Sequence, residues 1–105
     1  VTIQAALKAP TGRTAPDTAA VLAALGDYYR DAPFVSVTAE APHVKDVAAS
    51  NYARLSAAAN GRSVAVTCVV DNLNKGAAGG AVQWMNRLFD LPETAGLTAP
   101  AAGWT

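Results

Sequence analysis

Cysteine, methionine and histidine each occur once in the 105 residues, aromatics make up 7% and charged residues only 15%. Cys68 alone cannot form an intrachain disulfide, and one thiol fits a reducing, cytoplasmic compartment. A single histidine leaves no pair for a metal site, and Asp46, Asp71 and Glu93 lack metal-ligand spacing. Eight basic residues against eight acidic ones give a formal net charge of zero. That balance offers no basic field for a nucleic-acid backbone and no polybasic patch for a membrane surface. No apolar run approaches the roughly 20 residues needed to cross a bilayer. The first residues, Val1 to Lys8, resemble neither an initiator nor a signal peptide, so the chain is expected to be a piece of something longer. Alanine is about a quarter of the chain. It raises the hydrophobic share to 51% without large side chains, so the core is expected to be thin and to want a partner surface.

What is present reads as alternating elements. Val1, Ile3, Ala5 and Leu7 alternate with Thr2, Gln4, Ala6 and Lys8, the period of a half-buried strand that Pro10-Thr11-Gly12 ends. Thr14-Ala15-Pro16-Asp17 resembles a capping box with Thr14 as N-cap. A helix follows, with Val21, Leu22, Leu25, Tyr28 and Tyr29 on one stripe, closed before Pro33. Phe34–Ala39 has β-branched and aromatic residues for a second strand, and Glu40–His43 reads as a loop. Asn60-Gly61 is a hairpin signal, so Tyr52–Ala59 and Arg62–Val70 read as antiparallel strands. The latter has aliphatic residues on both faces from Val64 to Val70, as in a central strand covered on both sides.

The segment Asp71 to Gln83 carries the most information. A strand runs out through polar residues, Lys75 and Gly76 into an amphipathic helix whose stripe includes Ala78, Val82, Met85, Leu88 and Phe89. Such a turn gathers free backbone N–H groups at the positive helix end and can accept an anion. Gly76, Gly79 and Gly80 permit close approach of a backbone or a ligand. Helix capping with close packing and ligand binding are both open at this point. The Gly-Lys-Ser/Thr order of a phosphate loop is absent. Cys68, among alternating aliphatics, reads as a small hydrophobe, and His43, beside Pro42, as solvent-exposed. Tyr28 and Tyr29 read as core and interface packing, and Ser50 and Asn51 as turn-capping or substrate-contacting.

Asp71-Asn72-Leu73, Lys75-Gly76-Ala77-Ala78-Gly79, Ala81-Val82-Gln83, Met85-Asn86 and Leu91-Pro92-Glu93-Thr94-Ala95-Gly96-Leu97 resemble the C-terminal end of the N-acetyl-gamma-glutamyl-phosphate reductase family, within the semialdehyde dehydrogenases. Tyr28-Tyr29, Ala32–Val35 and Ser50-Asn51 extend the likeness upstream, with Ala49 where the family has glycine. The resemblance implies an NADPH-dependent enzyme of arginine biosynthesis that reduces an acyl phosphate to an aldehyde through a cysteine thioester. It also implies an N-terminal NADP-binding domain, a homo-oligomer (dimer or tetramer), and Asn72, Lys75 and Gly76 near NADP. Ser50 and Asn51 would then lie toward the acyl-phosphate substrate, and Trp84 against the cofactor domain or a second subunit. The Gly-x-Gly-x-x-Gly fingerprint, the Gly-Cys-Tyr-Pro-Thr nucleophile element and the His-Arg-His base element are not in these residues. Asn74 and Trp84 depart from the family's usual residues.

The expectation is therefore an α+β unit spanning residues 1–105, with a mixed sheet in the order β-α-β-β-β-α. It would be a fragment of the second domain of such a reductase, inactive alone and without the Rossmann domain. A reductase of carrier-bound aminoadipyl phosphate or aspartyl phosphate is the alternative within the enzyme class. A non-catalytic dimerisation or regulatory module is the alternative outside it.

Overall fold

The computed structural model describes residues 1–8 and 14–102. Its elements are β1 (Thr2–Ala6), α1 (Thr18–Tyr28), β2 (Val35–Val37), β3 (Ala53–Asn60), β4 (Ser63–Val70) and α2 (Gly79–Leu88), with a short 3₁₀ turn at Val44–Asp46. The four strands form one mixed sheet in the order β1-β4-β3-β2. β4 runs antiparallel to both β1 and β3, and β3 parallel to β2, so the α+β class and element order match the reading of the sequence. No helix among the described residues is long and apolar enough to cross a membrane.

The hairpin closes one residue later than Asn60-Gly61 suggests. Asn60 still pairs with Ser63, leaving Gly61-Arg62 as the two-residue loop. Gly61 has φ +57 and Arg62 does not share the positive sign, which is the demand of a turn needing glycine only at its first central position. β2 is also shorter than Phe34–Ala39, because the chain leaves the sheet after Val37. The Thr38 amide makes a last bond to Leu55 O at 2.8 Å.

Thr14 is not the cap of α1. Asp17 is, its carboxylate accepting from the Ala20 amide at 2.8 Å, so the helix begins one turn later than the hydroxyl suggested. Thr18 then fixes that end to the sheet through hydrogen bonds with the Ala59 amide and carbonyl. The proposed end of the first strand at Pro10-Thr11-Gly12 lies outside the described residues.

The core is small, as the alanine content implies: Phe34, Val47, Ala53, Leu55, Ala57, Val64 and Leu97 are its buried hydrophobic members. Phe34 is the largest of them, and burying its ring contributes about 2–3 kcal/mol. It meets Tyr52 edge-to-face at 5.5 Å. Three burial expectations fail for a shared reason. Every residue of β1 is exposed, β4 is mostly half-buried instead of covered on both sides, and Tyr28 is 81% exposed, in contact with Tyr29. α1 lies mainly against β3 and β2, so among the described residues the β1 side of the sheet is left largely uncovered. Alternation reports which faces are apolar; what covers them depends on the rest of an assembly.

Candidate functional site

β4 ends at Val70, and the next residue organises the segment that follows. One oxygen of the Asp71 carboxylate accepts from the amides of Leu73 (2.9 Å) and Asn74 (2.8 Å), and the other from the amide of Ala49 (2.7 Å). These bonds, the one from Ala49 first, hold the Asp71 carboxyl below the usual carboxylate range. Asp71 therefore ties the strand exit to the loop before β3. Ala49 has φ +59, a left-handed conformation that suits glycine.

The strand does not pass straight into α2. Asp71, Leu73 and Asn74 carbonyls accept from residues five positions on, Gly76, Ala78 and Gly79, which makes a wide turn over Asn74–Ala78. The anion site expected here is altered by the chain itself, since the Asp71 carboxylate already takes the Leu73 and Asn74 amides. Close approach at the glycines is largely internal as well. A Cβ on Gly79 would lie 2.5 Å from both Asn51 Oδ1 and Asn74 Oδ1, and one on Gly80 would lie 2.7 Å from the Lys75 carbonyl oxygen. Gly76 is exposed, and a Cβ there would lie 3.3 Å from Asn72 Oδ1 and 3.5 Å from the Asp71 carbonyl oxygen.

Lys75 points back under the turn. Its ammonium donates to Gln83 Oε1 and sits 5.4 Å from the centre of the Phe34 ring. Burial pushes the Lys75 ammonium below its ordinary value, and the Glu93 charge partly opposes this. Gln83 is the hub. Its Oε1 also accepts from Asn51 Nδ2 at 3.1 Å, and its Nε2 donates to Glu93 Oε1 at 2.6 Å. The second Glu93 oxygen pairs with Arg87 at 3.8 Å. Asn86 is buried and donates to the carbonyls of Glu93 and Ala95, which folds the Leu91–Leu97 ending across the helix. Lys75, Gly80, Gln83, Trp84 and Arg87 line a notch of about 220 Å³ beside this network.

The structure thus brings Lys75 and Asn51 together through Gln83, while Asn72 is exposed on the outer side of the turn beside Gly76. Ser50 is buried, its hydroxyl donating to Val47 O and accepting from the Tyr52 amide, bonds of the turn-capping kind. Asn51 is buried too, and its Oδ1 has no hydrogen-bond partner. His43 is exposed, near Asp46, which also pairs with Arg54 at 3.3 Å. Cys68 is half-buried on β4, among aliphatic neighbours. Gln83, Asn86, Arg87 and Glu93 were missed as a group. Gln83, Asn86 and Arg87 form a polar stripe at i, i+3 and i+4 on α2, which was the signal for the first three, and Glu93 lies beyond the helix.

That apolar stripe faces outward. Leu88 is 76% and Phe89 73% exposed, with Leu73, Trp84, Met85 and Leu91 exposed around them, while Gly79 and Asn86 are the buried residues of α2. A helix with its polar side toward its own domain and its apolar side toward solvent is built to meet another surface. A cavity of about 500 Å³ at the hairpin end of the sheet carries no titratable side chain.

Among curated proteins, the chain is 46% identical over 78 residues to an N-acetyl-gamma-glutamyl-phosphate reductase of Rhodopirellula baltica, covering 74% of this chain and 22% of the relative. It is 51% identical over 78 residues to one of Pseudarthrobacter chlorophenolicus (70% and 23%), and 40% identical over 78 to one of Flavobacterium johnsoniae (74% and 24%). The match spans about a quarter of these relatives' length or less. Residues 1–72, from β1 to just past β4, match the family model described as semialdehyde dehydrogenase, dimerisation domain. With the mixed sheet, the single sheet-packed helix and that match in agreement, the chain belongs to the semialdehyde dehydrogenase dimerisation-domain family.

Proposed function

We propose that these residues are the C-terminal part of a two-domain, NADPH-dependent reductase that converts N-acetyl-gamma-glutamyl phosphate to N-acetyl-glutamate 5-semialdehyde in arginine biosynthesis. The observation that carries this is the 40–51% identity to relatives of that name. The outward apolar face of α2 supports an N-terminal NADP-binding domain as its partner, since Leu88 and Phe89 are largely exposed among the described residues. The family's dimerisation domain supports a homo-oligomer, dimer or tetramer. A biosynthetic role fits the cytoplasm. The 105 residues alone are inactive in this reading, because they bring no activated nucleophile for a thioester and no dinucleotide fingerprint.

The turn residues fit one part of the cofactor better than another. The Asp71 carboxylate occupies the Leu73 and Asn74 amides and would repel a phosphate. Asn72 and Gly76, exposed and uncharged, fit the neutral carboxamide or ribose end, with Lys75 behind them as a donor held by Gln83. NADPH, when bound, supplies the hydride. For Ser50 and Asn51 to touch the substrate, the loop 44–51 would have to open, since both side chains are buried.

The test is intact mass of the native protein together with NADPH-dependent reduction of N-acetyl-gamma-glutamyl phosphate, run beside aspartyl phosphate and carrier-bound aminoadipyl phosphate. A longer polypeptide turning over the first substrate best is the expected result; preference for another acyl phosphate reassigns the substrate, and a native 105-residue protein removes the reductase reading. In the reductase, Lys75→Met is expected to raise KM for NADPH with the fold intact, and an unchanged KM would make Lys75 purely structural.

A further inference from the structure

The amide of Gln83 has a direction, and Glu93 sets it. Gln83 Nε2 donates to Glu93 Oε1 at 2.6 Å, while its Oε1 accepts from Lys75 Nζ and Asn51 Nδ2. An ionised carboxylate only accepts, so Glu93 takes the NH₂ end of the amide and turns the carbonyl end toward two groups that only donate. Glu93 is itself held in place. The Pro92 carbonyl accepts from the Ala95 amide at 2.9 Å and the Thr94 carbonyl from the Leu97 amide at 3.0 Å. Leu97 is buried, and Asn86 Nδ2 donates to the Glu93 and Ala95 carbonyls. Glu93 pairs with Arg87 at 3.8 Å, and the neutral Gln83 amide stands between it and Lys75, so the ammonium is oriented without a carboxylate seated on it.

We propose that Gln83 and Glu93 are positioning residues for the cofactor: through Lys75 they fix the turn from Asn72 to Gly76 in the shape that meets the carboxamide or ribose end of NADPH, without touching it themselves. The inference rests on the proposed reading of the chain as part of an NADPH-dependent reductase. Asn72 and Gly76 are exposed on the outer side of that turn, and Lys75 lies beneath them, half-buried over the Phe34 ring. The ending Leu91–Leu97 then acts on cofactor binding at a distance, with the Gln83 amide as the link. Exchanging the amide and the carboxylate preserves the same bond with donor and acceptor reversed, so the two residues can be tested as a pair.

Variants of the native longer polypeptide are compared by their Kd for NADPH, read from the fluorescence of the cofactor, by KM for NADPH and for the acyl phosphate, and by the urea midpoint. Gln83→Glu sets two carboxylates against each other in place of the 2.6 Å bond. It is expected to raise Kd and KM for NADPH at least about tenfold, the weight of one charge-assisted hydrogen bond, with KM for the acyl phosphate unmoved. Glu93→Gln alone keeps an acceptor for Gln83 and loses only a largely exposed pair with Arg87, so Kd is expected to stay within about threefold of the parent. Gln83→Glu combined with Glu93→Gln is expected to return to that range. Gln83→Met fills the space without a polar group, and a similar tenfold rise is expected there even where Gln83→Glu fails to fold. An unchanged Kd in Gln83→Met, or a combined variant no better than Gln83→Glu, overturns the positioning role. Equal rises in both KM values with a lower urea midpoint make the two residues purely structural and overturn it likewise. A parent polypeptide that does not bind NADPH removes the reductase reading and this inference together, whereas a parent that binds it as its variants do removes the inference alone.

Discussion

Gly79→Ala isolates the close packing on which the wide turn depends. The added Cβ would sit 2.5 Å from Asn51 Oδ1, 2.5 Å from Asn74 Oδ1 and 3.1 Å from the Asn74 carbonyl oxygen. Asn51 cannot step aside freely, because it is buried and its amide nitrogen is bonded to Gln83. Overpacking of this kind costs about 1–3 kcal/mol, and losing the Asn51–Gln83 bond adds about 1. Alanine's higher helix propensity returns up to about 1 kcal/mol. The net expectation is destabilisation by about 1–3 kcal/mol, read as a lower urea midpoint at unchanged slope. Two other glycines calibrate the measurement. Gly26 in α1 has nothing within 4 Å of an added Cβ, so Gly26→Ala should stabilise by about 0.5–1 kcal/mol. Gly76→Ala would meet the exposed Asn72 side chain at 3.3 Å and the Asp71 carbonyl oxygen at an ordinary 3.5 Å, and should be near neutral. Asn51→Ala combined with Gly79→Ala should recover part of the loss, since it removes one of the clashing oxygens. A Gly79→Ala protein as stable as the parent would refute the packing argument.

Ala49→Gly should stabilise the chain by up to about 1 kcal/mol, as relief at φ +59 outweighs the entropy glycine adds to the unfolded state; a lower urea midpoint would contradict this. Asp17→Ala should cost about 0.5–2 kcal/mol and Thr14→Ala almost nothing by the same assay, with the reverse order restoring Thr14 as the cap. Asp71 has a folded pKa below its value of 3.8 in the unfolded chain, so its stabilisation is fully present above that value and is lost as pH falls through the folded pKa. Asp71→Asn should therefore flatten the acid limb of stability below about pH 4, and an unchanged limb in urea titrations would assign it to other carboxylates.

Much of the fold was legible because its signals are local. Alternation in β1, β3 and β4, the proline that closes α1 and the glycine of the hairpin depend on backbone sterics and on neighbours a few residues away. They sufficed for the α+β class and the strand–helix order, while the family resemblance rested on the motifs from Asp71 to Asn86 and on the ending Leu91–Leu97. The misplaced cap at Thr14 and the one-residue shift of the hairpin were choices between positions within one turn of each other, settled by which side chain reached the amide and which position needed a positive φ.

Tertiary structure alone decided the rest. The candidate site joins Ala49 and Asn51 to Asp71, Gln83 and Glu93, groups far apart in sequence whose hydrogen bonds exist only once β3 and β4 pair. The amphipathicity of α2 was plain in its residues, but its direction was not, because a periodic stripe specifies a face and not what the face meets. Here the polar face of α2 is anchored inward by Gln83 and Asn86, and the apolar one is exposed. By itself the sequence determined the elements, which follow from local geometry, and its motifs from Asp71 to Leu97 carried the family resemblance. Only the assembled sheet decided which faces are covered, because burial is a property of what packs against a strand or helix and not of the strand or helix itself.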